Sequence, residues 1–291
     1  MGDLHSAAIA LYDRFTHEGM DRRAFMAELT RIAGSAAAAS ALLAGIAADP
    51  AAAAMVAESD RRIRTRRMSW PVGRGRTMRG YQAEPRNPAG PIGSVLVIHE
   101  NRGLNAHTED VARRLAVAGY RAVAGDFLSS AGGTPADEDA AREAIGKLDL
   151  GATAADAVAT LQMLKSLPGA NGKVGAVGFC WGGGMVNRVA LAAGEALDAG
   201  VSFYGPAPDP ALAAKVHAPL QLHYAGLDER VNKTGFPWRD ALAAAGRTVD
   251  AHLYPNVNHA FHNDTSAERF DAAAAKLAWQ RTLEFFGRYL A

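Results

Sequence analysis

The sequence predicts an α/β fold: a mostly parallel central sheet with helices on both faces, preceded by a helical or signal-like extension. Three observations carry that expectation. Short apolar runs such as Ser94 to Ile98 lack polar alternation, as strands buried on both faces should. From about residue 61 onward these runs alternate with segments of helical length, the pattern of successive β-α units. One run, beginning at Lys173 and ending at Gly178, passes directly through Phe179-Cys180-Trp181 into Gly182-Gly183-Gly184, so a strand turns sharply toward a helix with a reactive side chain at the turn.

Composition sets the bounds. A chain of 291 residues, 49% hydrophobic and 21% charged, can bury the core of one large domain plus an extension. Thirty-one basic against 30 acidic residues gives a net charge of +1, which offers no compositional support for nucleic-acid binding. The basic run Arg61 to Arg67 reads as an exposed strand face. One cysteine excludes an intramolecular disulfide and leaves the compartment open, and nothing in the composition separates a monomer from a homodimer.

Residues 1–57 form the extension and 58–291 the main domain. Leu4 to Phe15 predicts a short amphipathic helix. Ile32 to Ala48 is uncharged, but its 17 residues include only four large aliphatics, too few for a stable membrane span. The pair Arg22-Arg23, this weakly apolar stretch and the small residues Ala52-Ala53-Ala54 resemble a twin-arginine export signal, which implies a periplasmic protein. A long acidic lead segment and Glu28 depart from that pattern. The alternative is a pair of helices docked on a cytoplasmic domain.

The main domain then reads in order. Arg61 to Trp70 and Thr77 to Ala83 flank a Gly-rich turn and predict an antiparallel hairpin. Ser94 to Ile98, Arg121 to Gly125, Gly200 to Tyr204, Leu220 to Tyr224 and Thr248 to Tyr254 predict strands. His107 to Ala118, Asp137 to Gly146, Thr153 to Leu167, Met185 to Ala193, Phe236 to Ala245 and Ser266 to Leu290 predict helices. In such sheets the working groups stand on loops beyond the carboxyl ends of strands.

Three of those loops hold complementary chemistry. Cys180 occupies a Gly-x-nucleophile-x-Gly turn, Asp228 follows in Gly226-Leu227-Asp228, and His259 lies in Asn258-His259-Ala260. Nucleophile, acid, histidine is the chain order of the α/β-hydrolase triad. Imidazole moves protons near neutral pH, and a carboxylate fixes its tautomer. Singly, Asp228 reads equally as a turn former and His259 as a loop cap; jointly and in order they read as a triad. After the strand ending at Ile98, the loop from His99 to Leu104 falls where this fold supplies an oxyanion-hole N–H, so the backbones of Asn101 and Trp181 are the expected donor pair. Gly103 stands where a His-Glu-x-x-His zinc site would need its second histidine, and His259 with His262 has no evident third ligand, so no metal or other cofactor is expected.

These motifs, His99-Glu100-x-x-Gly103-Leu104, Gly178-Phe179-Cys180-Trp181-Gly182-Gly183, the aspartate loop ending at Val231 and the histidine loop, resemble the dienelactone hydrolase family, also called carboxymethylenebutenolidases, over roughly 61–290. The resemblance implies hydrolysis of a small ester or lactone through a thioester on Cys180. It also implies that Glu100 accepts a hydrogen bond from the resting thiol, and that Tyr204 lines the pocket. Where dienelactone-cleaving members carry arginines for the substrate carboxylate, this chain has Ser130 and Asn263. Either Arg102 or Arg230 takes that role, or the substrate bears no carboxylate. A noncatalytic ligand-binding or redox-sensing protein on the same scaffold is the alternative of another class. A cysteine peptidase lacks its local signature around Cys180.

Overall fold

The computed structural model describes residues 2–47, 54–73 and 75–291. Eight strands form one sheet in the order β1-β2-β4-β3-β5-β6-β7-β8. β1 (Ile63–Gly73) and β2 (Arg76–Pro85) make the expected hairpin, and β2 also pairs antiparallel with β4 (Arg121–Asp126). β3 (Ile92–Ile98), β4, β5 (Ala170–Phe179), β6 (Ala199–Phe203), β7 (Leu220–Ala225) and β8 (Val249–Tyr254) are parallel to one another. The basic run lies on β1, where Arg64 and Arg67 pair with Glu84 and Glu109 while their own side chains stay largely exposed.

The apolar runs have the cause inferred for them. Val95 and Val97 enter the core on one face of the sheet, and Leu96 and Ile98 enter the core on the other. Because successive strand side chains point to opposite faces, a strand covered on both sides can have no polar alternation. Full burial of each such side chain contributes about 1.5–3 kcal/mol. α4 (Ala106–Val117) and α9 (Ala272–Leu290) supply the first core; α6 (Leu150–Lys165), α7 (Trp181–Ala192) and α8 (Glu229–Ala244) supply the second. α5 (Glu138–Gly146) packs against Leu128 in a small separate cluster.

The starts of α7, α8 and α9 differ from expectation by more than one helical turn. α7 begins at Trp181, not Met185, so the three glycines form its first turn. A Cβ on Gly182 would stand 2.3 Å from the Ile98 carbonyl oxygen, so the helix lies against β3 only because that atom is missing. α8 begins at Glu229, seven residues before the expected Phe236. Pro237 sits inside the helix, and the N-cap is Asp228, whose Oδ1 accepts from the Val231 N–H at 3.1 Å. α9 begins at Ala272, not Ser266, because Ser266 is drawn away to donate to the Ile46 carbonyl at 2.6 Å while Asp271 caps the helix.

Ahead of the sheet, α1 (Gly2–His17), α2 (Arg22–Ala33) and α3 (Ala36–Ile46) form a helical unit with its own small core. Phe15 and Phe25 stack at 4.3 Å and join Leu11, Tyr12, Leu29 and Ile46. The uncharged stretch is not one helix: Gly34 at φ 80° ends α2, Ser35 caps α3, and the two axes bend by 107°. Among the described residues no single helix is long and apolar enough to cross a membrane. Asp21 accepts from Arg23 N–H and Ala24 N–H, so the paired arginines open a capped helix. Ala52 and Ala53 of the expected cleavage site lie outside the described residues.

Candidate active site

Every group named from the sequence for chemistry follows a strand. The elbow sets Cys180 at φ 55°, ψ −117°, a conformation that costs a non-glycine residue about 1–3 kcal/mol. It is held there by the Cys180 N–H donating to the Phe203 carbonyl at 3.0 Å, while the α7 N-terminus begins at the next residue. Trp181, as first residue of α7, has a backbone N–H with no acceptor within the helix. Beyond β7, Asp228 divides its two oxygens: Oδ1 caps α8, and Oδ2 accepts from His259 Nδ1 at 2.6 Å. One carboxylate thus caps a helix and pairs with an imidazole at the same time. His259 stands after β8, before Ala260 at φ 65°, and its Nε2 is buried without a hydrogen-bond partner among the described residues. Nε2 and Cys180 Sγ lie within 4.8 Å of each other.

The electrostatics follow from burial and pairing. Burial pulls the His259 imidazolium down, but the carboxylate of Asp228 and the sulfur of Cys180 raise it to about 10. Burial pushes the Cys180 thiol up, yet the facing imidazoles of His17 and His259 lower it to about 6, the direction that favours thiolate. Asp228 is held below the usual carboxylate range against its burial, chiefly by His259.

One of the facing imidazoles had no motif to announce it. His17, in the last turn of α1, places Nε2 3.0 Å from Cys180 Sγ, and its ring meets His259 edge-on at 4.9 Å between centroids. Its Nδ1 faces Asp13, one turn earlier on α1, at 3.0 Å, and Asp13 accepts from Arg230 of α8, also at 3.0 Å. The signal available in the sequence was Asp13-x-x-x-His17, a carboxylate and a histidine on one helical face.

The remaining expectations fare unequally. Glu100 does not take the thiol: Oε2 accepts from Asn263 at 2.9 Å and Oε1 from the Tyr204 hydroxyl at 3.4 Å, and His17 holds the sulfur instead. Asn263 is thereby committed to Glu100, and Ser130 is exposed in a short turn outside the site cavity. Arg102 lines that cavity, but its guanidinium is bound to the Glu138 carbonyl, Asp139 and the Tyr12 hydroxyl. The side-chain amide of Asn101 donates to the Thr16 carbonyl at 3.0 Å. Arg269, missed in the sequence, lines the cavity as well. The cavity itself is about 20 Å³, closed by Tyr12, Thr16 and His17.

Sγ of Cys180 and the Nε2 atoms of His17 and His259 are also the atom types that hold soft metals. Two ligands of one tetrahedral zinc, at about 2.3 Å for sulfur and about 2.0 Å for nitrogen, stand about 3.5 Å apart. The 3.0 Å separation of His17 from sulfur fits a direct hydrogen bond better. His262, considered with His259 as a ligand pair, packs its ring on Phe179 at 5.1 Å.

Comparison with known proteins decides the lineage. The model of the dienelactone hydrolase family matches residues 78–290. The chain belongs to the dienelactone hydrolase family. A protein of Escherichia coli (strain K12), provisionally named a carboxymethylenebutenolidase, is 31% identical over 258 residues, covering 84% of this chain and 94% of its own. The carboxymethylenebutenolidase of Pseudomonas putida is 30% identical over 223 residues, covering 72% of this chain and 91% of its own. A crystal structure from Klebsiella pneumoniae, provisionally described as a dienelactone hydrolase, superposes with a TM-score of 0.71 at 29% identity, over 78% of this chain and 99% of that one. Membership makes this a dienelactone hydrolase-like hydrolase with the α/β-hydrolase architecture.

Proposed function

We propose that this dienelactone hydrolase relative cleaves small esters or lactones through a Cys180-His259-Asp228 triad and an acyl-thioester. The supporting observation is the convergence of three strand-end loops that leaves a low-lying thiol facing an imidazole whose other nitrogen is bound to a buried carboxylate. The thiolate attacks the carbonyl carbon, and the oxyanion that forms is met by the backbone N–H groups of Trp181 and Asn101. Collapse expels the alcohol, protonated by the His259 imidazolium, and leaves a neutral thioester. The negative charge that helped to keep His259 protonated is then gone, so the imidazole is free to take a proton from water as that water attacks. The second collapse releases the acid and restores thiolate and imidazolium, so protons balance over the cycle.

Cys180→Ala should abolish hydrolysis of an aryl ester, and acid-quenched wild-type protein should carry one acyl mass that hydroxylamine removes. Wild-type rates from the alanine variant would sink the assignment. A noncatalytic or redox-sensing role gains no specific observation, since all three triad side chains are present and adjoining.

A further inference from the structure

We propose that His17 is the resting partner of Cys180: delivered by α1, it holds the sulfur as a thiolate in the substrate-free protein and withdraws with α1 when an ester enters. This rests on reading Cys180 as the nucleophile.

Geometry supplies the first argument. Nucleophilic attack needs a carbonyl carbon about 3–3.5 Å from sulfur. His17 Nε2 already stands at 3.0 Å, and the cavity of about 20 Å³ holds about one water. No acyl group fits beside it, so turnover requires His17 to leave.

The second argument is that His17 is built as a charged partner. The Asp13 carboxylate stands 3.0 Å from Nδ1 and acts on it through charge, while the Nδ1 hydrogen bond itself goes to the Asp13 main-chain carbonyl at 2.9 Å; Asp228, by contrast, is bonded to Nδ1 of His259 at 2.6 Å. A protonated histidine in the last turn of α1 also lies at the negative end of the helix dipole. The thiol proton passes to Nε2 of His17, giving imidazolium and thiolate with no other reactant. The titratable and charged groups around this pair are Tyr12 and Asp13 on α1, with Glu100, Arg102, Tyr204, Asp228, Arg230, His259 and Arg269 from the hydrolase side. Glu100, the expected guard of the thiol, is occupied by Asn263 and Tyr204.

The third argument is that the helical unit is joined so that it can part. Its apolar core is separate from both sheet cores, and the ties across the boundary are mostly hydrogen bonds and ion pairs, among them Arg230 to Asp13, Arg22 to Asp139, Arg102 to the Tyr12 hydroxyl, Arg142 to the Phe15 carbonyl, Asn101 to the Thr16 carbonyl, Glu268 N–H to the Gly45 carbonyl, and Ser266 and Arg269 to the Ile46 carbonyl. Polar boundaries of this kind permit relative motion, because water replaces the lost bonds. A groove of about 710 Å³ between α1 and the start of α8 already reaches Asp228 and His259, while Cys180 is absent from its lining. Moving α1 aside joins that groove to the sulfur.

Cys180 is the chain's only thiol, so ultraviolet absorbance of the thiolate and the rate of iodoacetamide alkylation report it alone. In full-length protein with chelator present, the wild-type midpoint should fall near pH 6. His17→Gln and His17→Ala should raise it by about one to three pH units, the effect of removing one adjacent opposite charge, and the alkylation rate at the high-pH plateau should rise. Asp13→Asn should shift the midpoint in the same direction by less, and decides the matter should the alanine variant fail to fold. A midpoint unchanged in His17→Gln and Asp13→Asn overturns the proposal. So does a wild-type midpoint that depends on chelator, which would assign the three atoms to a metal ion. Neither readout needs turnover. Ester hydrolysis surviving Cys180→Ala therefore defeats the nucleophile reading alone, whereas an unmoved midpoint beside a dead Cys180→Ala defeats only the role of His17.

Discussion

Asp228 allows its structural and chemical duties to be separated by two substitutions. Asp228→Asn retains an acceptor for the Val231 N–H, and asparagine caps a helix about as well as aspartate. It removes the charge 2.6 Å from His259 Nδ1 and favours the tautomer with its proton on the wrong nitrogen, a change that costs about 10⁴-fold in a Ser-His-Asp enzyme. Asp228→Ala loses the same charge and the cap as well, and loss of a cap costs about 0.5–2 kcal/mol. The two variants should thus be similarly inactive in kcat/KM toward an aryl ester, while alanine melts lower than asparagine by roughly 2–4 °C per kcal/mol of lost cap. Thermal unfolding followed by circular dichroism, run beside the ester assay, gives both numbers. Asparagine keeping a tenth of wild-type activity, or alanine matching asparagine in melting temperature, would refute the division of labour between the two oxygens.

Three further outcomes are expected. A neutral aryl ester or lactone should be preferred over dienelactone, since Ser130 and Asn263 carry no charge and the cavity-lining Arg102 and Arg269 are already bound to other groups, and one missing charge-assisted contact of about 1.5–3 kcal/mol lowers affinity roughly 10- to 150-fold; the opposite ratio of kcat/KM would assign Arg102 or Arg269 to a substrate carboxylate. Asp264 resists its partial burial and is lowered to about 2 by His107 and Arg114, so its contribution to stability is complete above about pH 4 and is lost as pH falls toward 2. Asp264→Asn should flatten the acid slope of urea stability in that window, and an unaltered slope would contradict the pairing. The mass of protein recovered from its native host should include α1 to α3, because these helices are capped, packed and tied to the site; a mature N-terminus near residue 54 would show them to be removed instead.

What the sequence disclosed was whatever local pattern encodes. The uninterrupted apolar runs of β3 and β5, the glycines around Cys180 and the order Cys180, Asp228, His259 each declare themselves within a few residues. The start of α9 was hidden because a distant partner, Ile46, draws Ser266 away, and that of α8 because Asp228, read for its pairing with His259, also caps the helix locally. Glu100 misled for a similar reason, since its partners Asn263 and Tyr204 come from two other loops. His17 was least legible of all. It lies 163 residues from the sulfur it touches, and no motif spans that distance.

The solitude of Cys180 has a consequence for oxidative damage. Peroxides attack thiolates, and a sulfenic acid is normally rescued by condensation with a neighbouring thiol. This chain has no second cysteine to serve as one, so oxidation there would proceed toward irreversible acids unless a small external thiol intervened. Cys180 is 4% exposed, with Tyr12, Thr16 and His17 lining the small cavity at its sulfur, so the packing that sets His17 against the thiol also limits its contact with a peroxide.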